Sequence, residues 1–164
     1  MFFVLYTIMY KLALRISEVL DYRKTQFQHA ISLKHFHLRQ HKKEVDIKLT
    51  SYKHSEQATN YTLSCNNTLW RNITKFLEQR GDTEGPLFIH QSGEPITRKF
   101  AVKYLKADLQ AIGEDPASYN SHSFRSGKAT DLYMSEASTE KIKQIGRWKS
   151  DAHQKYLKPK YIRV

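Results

Sequence analysis

Cysteine is nearly absent from this chain. Cys65 is the single one in 164 residues, so no disulfide framework exists, and with no CxxC pair there is no thiolate clamp for zinc. Six glycines and four prolines exclude collagen-like and low-complexity chains. Acid is scarce as well: 16 Asp and Glu face 27 Lys and Arg, a formal charge of +11 with eight histidines left neutral. Long apolar runs are missing too. The strongest, residues 1–9, falls far short of the roughly 20 residues a membrane span requires. Lys11 and Arg15 follow that run rather than precede it, opposite to a secretory signal. The Asn-x-Thr triplets at Asn60, Asn66 and Asn72 therefore carry no implication of glycosylation, and the protein is read as not secreted.

What is present points to a folded, basic domain. At 40% hydrophobic and 12% aromatic the chain can bury a core, and its length suits one domain over residues 1–164. The charge favours a polyanionic partner, nucleic acid before anionic membrane. The basic residues are dispersed, with no amphipathic basic helix, so no membrane partner is expected.

Periodicity supplies a coarse architecture. Leu5, Ile8, Leu12, Ile16, Val19 and Leu20 recur at three- and four-residue steps, the pattern of one buried helix face. A β-prone third follows: residues 30–38, 44–52 (Val45, Ile47 and Leu49 at period two) and 60–65, joined by polar turns at 39–43 and 53–59. Leu69, Trp70, Ile73, Phe76 and Leu77 then make a helix ended by Gly81, and a second helix fits residues 98–112. Between them, residues 87–90 are extended and Ser92-Gly93-Glu94-Pro95 is a turn; residues 113–119 form a loop. Three short helices, 122–135, 139–145 and 151–157, complete the chain. The class expected is α+β, mainly helical, with a small three-stranded antiparallel sheet.

Three segments carry candidate chemistry. In His122-Ser123-Phe124-Arg125 a histidine and an arginine three apart on a helix share a face and can approach one anion, or simply form a solvated polar face. The following Ser126-Gly127-Lys128-Ala129-Thr130 is similar to a phosphate-binding loop but lacks both the earlier glycine and the Ser or Thr after lysine, so it is rejected. In residues 145–156, Ser150 or Asp151 can cap a helix that carries Tyr156 near its other end, beside Lys155 and Lys158. A phenol of pKa near 10 becomes a useful nucleophile only where cations stabilise its anion. In Ala13-Leu14-Arg15-Ile16-Ser17-Glu18-Val19-Leu20 an arginine interrupts an apolar helix with Glu18 one turn on, a functional cation or a structural ion pair. Among His29, His35, His37 and His41, His35 and His37 would share one face of a strand and with His41 suggest a metal site, but no cysteine or carboxylate cluster completes a ligand set, and none is assigned.

Taken in order, these segments resemble the catalytic domain of tyrosine recombinases, the phage integrase family, and in particular members from eukaryotic mobile elements with a Gly-Arg-Trp-Lys-Ser-Asp stretch before the tyrosine. The resemblance covers nearly the whole chain. It implies Arg15 and Arg125 as the paired active-site arginines, Lys53 in the turn between the second and third strands, and His122 from the family's His-x-x-Arg, donating to the same phosphate or accepting the tyrosine proton. It further implies Trp148 at the later His/Trp position and Tyr156 as nucleophile. Counting from Gly146, the His/Trp position falls on Arg147; side-chain type selects Trp148. Tyr161 is a weaker nucleophile, cut off from the capped helix by Pro159.

The resemblance implies site-specific cutting and rejoining of double-stranded DNA through a 3′-phosphotyrosyl intermediate, with no metal, nucleotide or other cofactor. It also implies self-association on DNA as a synaptic tetramer, and a nuclear location in a eukaryote or a cytoplasmic one otherwise. The family's N-terminal core-binding domain has no counterpart in these residues, and eight residues follow Tyr156. Two alternatives stand beside this reading: an inactive DNA-binding module derived from such an enzyme, and a type IB topoisomerase, whose relatives carry Lys where this chain has His122.

Overall fold

Alternation along 44–49 is what builds the sheet. Val45, Ile47 and Leu49 turn inward and are buried, while the residues between them are half-buried or exposed. The computed structural model describes residues 1–20, 30–50 and 58–157, so Lys53, His29 and Tyr161 lie outside the described residues. Strand β2 (Glu44–Leu49) pairs antiparallel with β1 (Phe36–Arg39) on one side and β3 (Thr59–Ser64) on the other. The β1–β2 turn closes on Lys43 in the left-handed conformation, φ 50°. The first strand is shorter than the expected 30–38. Leu33 N–H bonds to Gly85 O, and Ile31 O accepts from Leu87 N–H, so this stretch is tied to residues 85–87. A 3-10 turn (Leu33–His35) then intervenes before β1. His35 and His37 consequently do not share a strand face, and His35 Nδ1 is engaged with Ser32 Oγ at 2.9 Å. No metal-binding cluster of His, Cys, Asp or Glu occurs among the described residues.

The apolar stripe expected over Leu5–Leu20 forms two helices rather than one. α1 (Phe2–Lys11) stops where Ala13 takes a left-handed conformation, φ 47°, and Leu14 N–H returns to Met9 O at 2.9 Å. That bond and the complete burial of Leu14 are the marks of a Schellman ending, with an alanine where glycine is usual. The short α2 (Ile16–Val19) resumes after Arg15.

The chain divides into two compact units. The first comprises Met1–Leu5 and Ile16–Tyr104 and holds the sheet and α3 (Asn67–Arg80). Asn66 caps α3 by accepting from Leu69 N–H at 2.8 Å, and Gly81 at φ 69° ends it. Leu69, Ile73 and Phe76 bury one face of α3, with Phe76 stacked on Phe88 at 5.4 Å. Arg80, at its end, is buried and donates to the carbonyls of Gly81, Thr83, Pro86 and Leu87, organising the loop that follows. The second unit comprises Tyr6–Arg15 and Leu105–Val164. It takes the last turns of α1 and of α4 (Arg98–Ala111), and holds α5 (Ser123–Met134) and α6 (Thr139–Gly146). The final expected helix is a 3-10 segment, Asp151–Tyr156, rather than an α-helix.

Among the described residues, no helix is long and apolar enough to cross a membrane. Replacing Arg80 by Ala removes the donor shared by these loop carbonyls. Urea unfolding should show a loss of about 1–3 kcal/mol.

Candidate active site in the second unit

The end of α6 decides the geometry. Arg147 adopts the left-handed conformation, φ 56°, and Trp148 N–H returns to Lys143 O at 2.9 Å, a second Schellman ending without glycine at the turning residue. The reversal folds Trp148 back over its own helix so tightly that a side chain on Gly146 would overlap the indole ring. Trp148 then packs with Ala129, Leu132 and Ile142, and Tyr156 and Leu157 cover this cluster from the 3-10 segment.

Arg125 lies beneath these rings and is wholly buried. Its guanidinium carbon is 4.4 Å from the Trp148 ring centre and 5.4 Å from that of Tyr156. Nη1 donates to Ala13 O at 2.6 Å and Nη2 donates to Gly146 O. One cation thus satisfies carbonyls freed at the ends of both α1 and α6, where the helix dipoles are negative. A buried guanidinium requires such partners, and the aromatic face adds about 2 kcal/mol or more where water is excluded.

The other candidates are placed as follows. Arg15 is half-buried two residues beyond the carbonyl that Arg125 grips, which brings both arginines to one segment. His122 stands exposed at the start of α5 while Arg125 one turn later is buried, so their shared face runs from solvent into the core. Arg147 sends its guanidinium toward Leu12 O and Ile145 O, each at 3.4 Å, while Trp148 is the residue brought against Arg125 and Tyr156. Trp148 and Tyr156 rings lie 5.0 Å apart. Lys53 lies outside the described residues.

Electrostatics around the 3-10 segment are mostly cationic. Lys143 Nζ holds Asp151 at 2.6 Å, and this bond and its charge keep the Asp151 carboxyl below the usual carboxylate range, with a further contribution from the charge of His153. Because that carboxyl ionises more readily in the folded chain, the pair's contribution is present above the ordinary value near 3.8. It is lost as pH falls through the lower folded value. The Lys128 ammonium is pushed down by burial and then by the charges of Lys11 and Lys141, which marks three lysines from α1, α5 and α6 as neighbours.

Two features escaped the sequence reading. The lysine cluster joins residues far apart in the chain. His153 is 4% exposed, its ring 6.3 Å from Trp148, and its Nδ1 has no hydrogen-bond partner among the described residues. The signal available was its spacing, three residues before Tyr156.

The phage integrase family model matches residues 4–161. The chain belongs to the phage integrase family. Among solved structures, it is similar to the XerH site-specific recombinase bound to difH substrate in a pre-cleavage complex. That match has a TM-score of 0.68 and 18% identity, over 93% of this chain and 41% of the other. It is also similar to the Tn1549 transposon integrase in complex with a circular intermediate DNA, with a TM-score of 0.61 and 12% identity, over 95% of this chain and 54% of that one. The chain therefore spans from about two fifths to about half the length of these structures. No curated protein matches it significantly. The mainly helical architecture with a three-stranded antiparallel sheet is that of a tyrosine recombinase catalytic domain.

Gly146→Ala should force Trp148 off Arg125. We expect a loss of about 1–3 kcal/mol in thermal or urea unfolding together with a weakened near-ultraviolet circular dichroism signal. An unchanged melting temperature would show that the indole accommodates a methyl group.

Proposed function

We propose that residues 1–164 act as the catalytic domain of a site-specific DNA recombinase that cuts and rejoins strands through a 3′-phosphotyrosyl bond on Tyr156. The observation that carries this is the convergence of Arg125, Trp148 and Tyr156, from α5, the α6 ending and the 3-10 segment, in one family-typical order. Tyr156 Oη attacks the phosphorus, and the bond to the 5′ oxygen breaks. Negative charge developing on the non-bridging oxygens is met by Arg15 and Arg125, with His122 and Trp148 as further donors. Lys53 gives its proton to the departing 5′ oxygen. The covalent phosphodiester keeps the energy of the broken bond for rejoining. These fixed cations supply the charge stabilisation from the protein itself.

The DNA complexes of the related structures support double-stranded DNA as the partner, and the cluster of Lys11, Lys128 and Lys141 suits its backbone. Assembly into a synaptic tetramer on that DNA belongs to the same proposal. One observation favours a second reading, a DNA-binding module without cleavage: Arg125 is fully buried and bonded to two backbone carbonyls.

Nicked suicide duplexes of randomised sequence, incubated in EDTA, separate the two. The recombinase reading expects a protein–DNA adduct on denaturing gels, absent with Tyr156→Phe and reduced about 100- to 1,000-fold by Arg15→Ala with binding retained. Binding without any adduct from the unaltered chain would establish the module instead.

A further inference from the structure

A buried polar atom with no partner costs about 1–3 kcal/mol, and native proteins retain few without a use for them. Among the described residues His153 Nδ1 is such an atom, on a side chain 96% removed from solvent by the 4% exposure of its residue. It belongs to the six-residue 3-10 segment that also carries Tyr156. Residues three apart on a 3-10 helix eclipse one another, so the imidazole and the phenol stand on one edge of the segment. Trp148 touches both rings, at 6.3 Å from His153 and 5.0 Å from Tyr156, and walls that edge with apolar surface. A buried nitrogen left without a bond, three residues before Tyr156 on the same 3-10 segment, suits transient proton storage better than packing. Phenylalanine or leucine would fill the same space without the cost of an unpaired nitrogen.

The charged groups beneath Trp148 and on the 3-10 segment itself do not offer this service, and His122 stands exposed at the start of α5. Arg125, beyond Trp148, has no basic lone pair. Asp151 is exposed and engaged by Lys143 at 2.6 Å, and its carboxyl responds to the charge of His153. Lys155, on the same segment, is exposed. Asp151 is also suited to stabilise the imidazolium that proton uptake creates.

We propose that His153 receives the phenol proton of Tyr156 during strand cleavage. With its own proton on Nε2, the imidazole presents the Nδ1 lone pair. As the Tyr156 Oη–phosphorus bond forms, the Oη proton passes to Nδ1. The phosphorus–5′ oxygen bond breaks, and the leaving oxygen takes its proton from a separate acid. On rejoining, the 5′ hydroxyl attacks and the imidazolium returns its proton to the departing phenolate. This role rests on Tyr156 being the nucleophile, as proposed above.

The test measures single-turnover adduct formation on the same nicked duplexes, across pH 5 to 9, for the unaltered chain, His153→Gln and His153→Asn. Modest destabilisation leaves most molecules folded and changes a single-turnover rate constant far less than loss of the proton acceptor, so the readout stays intact. Both variants are expected to be slower by about 100- to 10,000-fold, with DNA binding retained and the acid limb of the rate profile gone. A 5′-bridging phosphorothiolate, whose sulfur leaves without a proton, should not restore them. Cleavage within about threefold of the unaltered chain with the same pH profile would overturn the proposal while leaving Tyr156 as nucleophile. Restoration by the phosphorothiolate would overturn it by moving His153 to the leaving-group side, and failure of both variants to fold would assign His153 to packing alone. Absence of an adduct from the unaltered chain, or its persistence in Tyr156→Phe, would remove the nucleophile and the proposal together.

Discussion

A single buried cation organises the second unit. Arg125 satisfies a carbonyl at the end of α1 and another at the end of α6, and presents its guanidinium face to Trp148. Each contact answers a separate physical demand. The helix ends need donors for carbonyls left without intrahelical partners, the buried charge needs acceptors, and the indole gains from a cation over its face. Their coincidence on one side chain links the ends of two helices to the turn that precedes Tyr156.

Both helix endings on which this depends use left-handed residues other than glycine, Ala13 and Arg147. Such conformations cost about 1–2 kcal/mol for an L-residue, and persist because the surroundings repay them. Leu14 is fully buried after the first turn, and Trp148 is folded onto the core cluster after the second. Gly146 is needed for a different reason, the close approach of the Trp148 ring. The same arrangement frames a tension in the site: the residue proposed to clamp a phosphate is also the residue that ties the ends of α1 and α6 together in the second unit. In a phage integrase family member this couples the stability of the unit to the charge available at its proposed reaction centre.

Much of this was legible in the sequence where the signal is local. The alternation of Val45, Ile47 and Leu49 gives β2, and Gly81 ends α3 where the sequence places its end. The α5 and α6 helices fall within about a residue of their expected bounds, because their apolar spacing and caps act over one or two turns. The apolar run Leu5–Leu20 misled because periodicity alone does not register a left-handed residue at Ala13. The stretch 30–38 misled because its hydrogen bonds go to residues 85–87, outside any window read along the chain.

The sequence by itself determined the fold class and the order of Arg15, Lys53, His122, Arg125, Trp148 and Tyr156 that marks the family, since composition, spacing and motif order are properties of the linear chain. Only the tertiary structure decided that Arg125 is buried, that Trp148 rather than Arg147 lies against it, and that His153 is buried near Trp148. Ala13 and Arg125 are 112 positions apart, and nothing near either one encodes their bond. Burial, partner choice and an unfilled hydrogen-bonding position arise from contacts across such separations, where they depend on how the helices end and pack.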